Sequence, residues 1–160
     1  MIRIARLEDA AEICGIYNYY VVNSTFTFEE KPIAVSVMKR RMKDILDYSS
    51  WLVEEHDGNI LGYSYAARWK ERSAYRYSVE STVYVDKEHY GSGIGKALYS
   101  ALLGFLENNN VHVILGGIAL PNEKSIKLHE RLGFRKVAQL EEVGFKFNKW
   151  IDVGYWELRL

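Results

Sequence analysis

The chain has 160 residues, 48% apolar and 26% charged, with 21 basic and 21 acidic side chains and a formal net charge of zero. This balance fits one globular domain over residues 1–160 and argues against a strongly basic nucleic-acid-binding chain. No stretch approaches the roughly 18 apolar residues of a membrane span, so no membrane or nucleic-acid partner is expected.

The elements follow in chain order. Ile2 to Ala5 reads as a short strand. Ala10, Ile13, Ile16, Tyr17 and Tyr20 recur at helical spacing. Ser24 to Glu29 is a β-leaning connector closed by Pro32, and Val35 to Tyr48 is an amphipathic helix. Trp51 to Glu55 and Ile60 to Trp69 are strands, joined by the hairpin signal Asp57-Gly58. Lys70 to Tyr75 is a polar loop, and Tyr77 to Val85 is a longer strand. A glycine-rich turn and a helix to Asn108 follow. His112 to Ala119 is mostly apolar without alternation, as in a strand covered on both faces. Asn122 is placed as the N-cap of a short helix that Gly133 stops. Phe134 to Glu142 and Trp150 to Leu158 close the order around an expected loop, Gly144 to Lys149. The order β-α-α-β-β-β-α-β-α-β-β predicts an α/β (α+β) fold with a mixed seven-stranded sheet and helices on its faces.

Cys14 falls on the apolar helical pattern and reads as a small core residue. A lone cysteine forms no internal disulfide, and residues 1–20 carry no apolar run after a basic start, so a cytoplasmic location is expected.

The stretch from His89 to Leu98 carries Gly91, Gly93 and Gly95 at alternate positions between a strand and a helix. Such a turn leaves helix-opening N–H groups unpaired, and these and the helix dipole favour an anion. Ala97 stands where a P-loop needs Ser or Thr, and Lys96 where the dinucleotide motif needs its third glycine. The remaining readings are a pyrophosphate loop and a plain left-handed turn.

The element order with this glycine turn resembles the GNAT superfamily of acetyl-CoA-dependent N-acetyltransferases. Val79 to Val85, Ile16 to Asn18, Thr27 to Glu29, Leu120 to Asn122, Leu128 to Phe134, Gly144 to Lys146 and Trp150 to Val153 are similar to its phosphinothricin and methionine sulfoximine N-acetyltransferase branch. The resemblance implies a GNAT fold with a mostly antiparallel sheet, splayed between the fourth and fifth strands, where acetyl-CoA lies. It implies that Gly91, Ser92, Gly93, Ile94, Gly95 and Lys96 hold the diphosphate. Val83, Tyr84 and Val85 would pair with the pantetheine arm, and Asn122 would hold the cofactor's far side. Tyr90 stands where the motif usually begins with Gln or Arg. A homodimer is implied as well.

Two residues are catalytic candidates. Glu80 lies inside an apolar strand, where burial would raise its pKa toward that of a working base. The alternative is a structural Glu paired with Arg72 or Arg76. His129 would either protonate the leaving thiolate or bind the acceptor's acid group. Arg72 is placed to clamp that acid, with Phe28, Trp69 and Tyr75 as pocket walls and Lys146 as a weaker clamp. No pair of residues has metal-ligand spacing, so no metal is expected. The function the resemblance implies is transfer of acetyl from acetyl-CoA to a small amino acid-like amine. The alternatives are acetylation of a protein N-terminus or lysine, and a non-catalytic acetyl-CoA-binding module.

Overall fold

A computed structural model describes residues 1–160. Seven strands form one sheet: β1 (Ile2–Ile4), β2 (Trp51–His56), β3 (Asn59–Arg68), β4 (Ser78–Val85), β5 (Val113–Ala119), β6 (Arg135–Lys146) and β7 (Lys149–Arg159). Their spatial order is β1-β2-β3-β4-β5-β7-β6. Every neighbouring pair is antiparallel except β4 and β5, which run parallel. The four helices are α1 (Ala10–Asn23), α2 (Val35–Leu46), α3 (Ile94–Glu107) and α4 (Glu123–Arg131).

The helices divide between the two faces because the strands alternate. On one face, Ile13 and Ile16 of α1 and Met38 and Met42 of α2 pack on Trp51, Val53 and Tyr63. Cys14 is buried in this cluster, as a small core residue should be. On the other face, Leu98, Tyr99, Leu102 and Leu106 of α3 pack on Leu52, Ala66, Val79, Ile114 and Trp156. Fully burying one such side chain contributes about 1.5–3 kcal/mol, so these two clusters hold the helices to the sheet.

Turn chemistry sets the hairpins. Asp57 and Gly58 both have positive φ, 49° and 82°, as a type I′ turn requires. The expected loop from Gly144 to Lys149 is instead hairpin: β6 runs to Lys146 and β7 starts at Lys149. Only Phe147 and Asn148 turn, with φ of 51° and 58°. Gly144 is not a loop residue, since it pairs with Ile151 inside the sheet. A Cβ there would lie 2.4 Å from the Phe28 ring, so the glycine makes room for the α1–α2 connector. The Lys146 ammonium pins that connector too, donating to the Thr27 carbonyl at 2.8 Å.

Candidate active site

Strands β4 and β5 pair only over Ser78–Glu80 against Val113–Leu115. Beyond Glu80 they part, while β5 stays paired to β7 and β4 to β3. The gap opens into a cleft of about 400 Å³ between β4, β5 and the N-terminal ends of α3 and α4.

One wall of the cleft is the glycine loop. Gly91 and Gly93 take φ of 90° and 92°, and a Cβ at either would meet nothing. The N–H groups of Gly91, Gly93, Ile94, Gly95 and Lys96 have no acceptor in the protein. Ser92 differs: its N–H and its Oγ both donate to the His89 carbonyl, at 3.2 and 2.6 Å. It shapes the turn and does not line the cleft, and neither does the Ile94 side chain.

The β4 wall follows from register. Asp86 N–H donates to the Leu61 carbonyl, so Val85 and Gly62 form a non-hydrogen-bonded pair. The backbone groups of Val85, and by the period of two those of Val83, therefore point away from β3. The Val85 carbonyl is taken by the Tyr20 hydroxyl at 2.6 Å. Val83 is left facing the cleft, while Tyr84 directs its backbone to β3 and its side chain to the α1 face, its hydroxyl 3.4 Å from the Phe26 carbonyl. Across the cleft, Asn122 Oδ1 caps α4 by accepting from the Ser125 N–H at 3.2 Å, leaving its amide NH₂ unpartnered.

Glu80 and His129 come to the parting point from opposite faces of the sheet. Glu80 pairs with Ala67 and so shares the α1/α2 face with it. A Cβ on Gly117 would lie 2.9 Å from Glu80 Oε1, so the carboxylate rests where β5 has no side chain. No ion pair holds it, from Arg72, Arg76 or any other residue. Burial pushes its pKa up, and the charge of Lys70 opposes this only in part.

His129 is buried on the α3/α4 face, over Gly116. A Cβ on Gly116 would lie 2.4 Å from its Nε2. Nδ1 sits 2.8 Å from the Ser125 carbonyl, which fixes the proton on Nδ1 in the neutral ring. Nε2 then accepts from the Tyr99 hydroxyl at 3.0 Å, and Tyr99 in turn bonds Ser81 Oγ. Burial lowers the pKa of His129 against the opposing pull of the Ser125 carbonyl. Burial raises that of Tyr99, so the phenol stays protonated at neutral pH.

The expected acceptor residues divide. Trp69 stacks edge-on to Tyr155 at 5.4 Å, and Tyr155 packs beside Gly117 and feels the Glu80 charge. Phe28 rests on Gly144. Arg72 and Tyr75 are exposed around the 3₁₀ turn Ser73–Tyr75, and no contact brings them to Glu80. Lys146 is buried with its ammonium directed to the connector.

The acetyltransferase (GNAT) domain family matches residues 2–154. The chain belongs to the GNAT acetyltransferase family. It is 38% identical over 156 residues to the phosphinothricin N-acetyltransferase of Streptomyces viridochromogenes, covering 98% of this chain and 85% of that protein. It is 34% identical over 161 residues to the L-methionine sulfoximine/L-methionine sulfone acetyltransferase of Salmonella typhimurium, covering 99% and 94%. The structure of a GNAT superfamily phosphinothricin acetyltransferase from Sinorhizobium meliloti, in complex with acetyl-CoA, superposes with a TM-score of 0.97 at 33% identity, covering 100% of this chain and 88% of that one.

The protein is therefore an acetyl-CoA-dependent N-acetyltransferase. The GNAT cleft fits its cofactor: the unpaired loop amides suit a diphosphate, and Val83 offers strand-like backbone pairing to the pantetheine amides. Sequence reasoning missed Ser81, Tyr99 and Tyr155 at this site. The signal was present in Gly116-Gly117, since glycine inside a strand marks a close approach.

Two outcomes follow. Gly116→Ala displaces His129 and Gly117→Ala displaces Glu80, so each should lower kcat by 10-fold or more while acetyl-CoA binding, read by calorimetry, stays within about 3-fold; full activity in both contradicts the packing. Because burial raises the Glu80 pKa, the folded state binds its proton more tightly than the unfolded chain. Stability is then lost as pH rises from the unfolded to the folded pKa. Glu80→Gln should accordingly gain Tm relative to the parent on going from about pH 4 to about pH 8, and a Tm difference independent of pH contradicts this.

Proposed function

We propose that the enzyme acetylates the α-amine of a small amino acid-like acceptor of the phosphinothricin or methionine sulfoximine kind, with Glu80 as general base. The carrying observation is that Glu80 and the Tyr99–His129 pair meet the β4–β5 gap from opposite faces. An acetyl thioester in that gap has its carbonyl carbon open to an amine on the Glu80 side and its sulfur toward Tyr99.

In this reading the acceptor's ammonium gives a proton to Glu80, directly or through one water. The nitrogen lone pair attacks the thioester carbon, and the Val83 N–H receives the oxyanion. The C–S bond then breaks and the sulfur takes the Tyr99 proton. The nitrogen loses two protons in turn through Glu80, which passes each to solvent, while solvent restores the proton that Tyr99 gives to sulfur, so one proton is released per turnover. His129 acts through Tyr99, as a positioning residue, because both ring nitrogens are engaged. Lys70 and Arg72 on the loop after β3 receive the acceptor's acid group, while Trp69 and Phe28 wall its side chain.

The exposed apolar face of the β6–β7 hairpin supports a homodimer. Val143, Phe145, Phe147 and Trp150 are 56%, 48%, 53% and 63% exposed, and Phe145 packs on Trp150 at 4.8 Å. A cluster of this kind marks an interface. The unpaired thiol of Cys14 suits the cytoplasm.

Release of free thiol from acetyl-CoA tests the acceptor class. Phosphinothricin, methionine sulfoximine and methionine sulfone should be turned over far faster than peptides or polyamines; a preference for peptides would establish the protein-acetylating alternative instead. Glu80→Gln should lower kcat by about 10²–10⁴-fold. The acid limb of the parent's kcat/KM profile should lie above the ordinary carboxylate range, as the raised pKa requires. Trp150→Glu should sediment as a monomer where the parent sediments as a dimer, and a monomeric parent overturns the dimer.

A further inference from the structure

The cofactor cleft has a second electrostatic feature besides the loop amides. Four cationic side chains border it, Lys96, Lys124, Lys127 and Arg131, and no carboxylate does. This is a local surplus in a chain whose charges cancel overall. Lys124, in the first turn of α4, makes no ion pair with any residue. Its ammonium instead lies 4.3 Å from the centroid of the Tyr90 ring, on the far side of the cleft. Tyr90 directly precedes Gly91, the first glycine of the diphosphate loop. The Tyr90–Lys124 contact therefore bridges the two walls of the cleft at the level of the unpaired amides.

We propose that Tyr90 and Lys124 form a clasp over the coenzyme diphosphate. The Tyr90 ring holds the Lys124 ammonium against the loop, so that the cation pairs with the diphosphate oxygens opposite the backbone donors. The contact suits both partners. An aromatic face attracts an ammonium without neutralising it, so the full positive charge remains for the phosphate. A carboxylate in the same place would have cancelled it. The amides of Gly91, Gly93, Ile94, Gly95 and Lys96 give directional hydrogen bonds from one wall, and Lys124 gives charge from the other. Burial raises the Tyr90 pKa, so its hydroxyl stays neutral and adds no repulsion to the anion. The clasp also joins α4, which carries Asn122 and His129, to the loop that opens α3. Cofactor binding would then draw together the two elements that hold the proton donor for sulfur.

The anion in question could be the diphosphate or the 3′-phosphate of the same coenzyme, and titration calorimetry with CoA and with dephospho-CoA separates them. Lys124→Met keeps the stem and removes the charge. It should weaken both ligands by the same factor, about 5- to 20-fold, and flatten the dependence of affinity on salt. Weakening of CoA alone would assign Lys124 to the 3′-phosphate and overturn the clasp. Unchanged affinity for both would overturn it too. Tyr90→Phe keeps the ring face and should bind like the parent, whereas Tyr90→Leu should weaken both ligands. The double variant Tyr90→Leu/Lys124→Met should be no weaker than Lys124→Met alone, because without the charge the ring has nothing to hold. Additive losses would mean that Tyr90 does not position Lys124. In steady-state assays the KM for acetyl-CoA of Lys124→Met should rise by a similar factor, and an unchanged KM would overturn the clasp.

Discussion

The active site depends on a pair of missing side chains. Gly116 and Gly117 lie where β5 leaves β4, and in a strand consecutive residues face opposite sides of the sheet. The space above one is filled by the His129 ring and the space beside the other by the Glu80 carboxylate. Any Cβ at either position would push a functional group out of the gap. Two glycines weaken a strand, and β7 compensates by pairing with β5 along its whole length, from Val113 to Ala119.

From that constraint the chemistry divides by face. The Glu80 face is closed by α1, α2 and their connector, which Lys146 and Phe28 tie to the β6–β7 hairpin. That is the side on which an acceptor would be received. The opposite face is closed by α3 and α4, which carry Tyr99 and His129 in a buried hydrogen-bonded chain running to Ser81. Desolvation raises the Glu80 pKa on one face and lowers that of His129 on the other. The Glu80 carboxylate and the Tyr99–His129 pair are thereby kept apart by the thickness of one sheet.

Much of this was legible in the residues. The glycine loop, the strand before it and the helix after it stand where the order of elements put them, because turn residues and apolar periodicity are local signals. Asn122 caps α4 as its side chain and position foretold. Glu80 is legible as a carboxylate in an apolar strand, and the structure gives it no arginine partner. Long-range facts were not legible. Nothing near Tyr99 in the sequence says that its hydroxyl meets His129, thirty residues away. The resemblance puts Ser92 in the phosphate loop, and its polar atoms turn back to His89. The hairpin at Phe147-Asn148 lacks the usual glycine, so its turn was hidden behind Gly144.

The division of labour across the sheet is tested most directly by a crystal structure with a bisubstrate analogue, in which the amine of the acceptor is joined to coenzyme A through an acetyl bridge. The account predicts the acceptor nitrogen on the Glu80 side, within reach of the carboxylate directly or through one water, and the sulfur within hydrogen-bonding distance of the Tyr99 hydroxyl. An analogue with nitrogen and sulfur on the same face of the sheet, or with its sulfur remote from Tyr99, would contradict it.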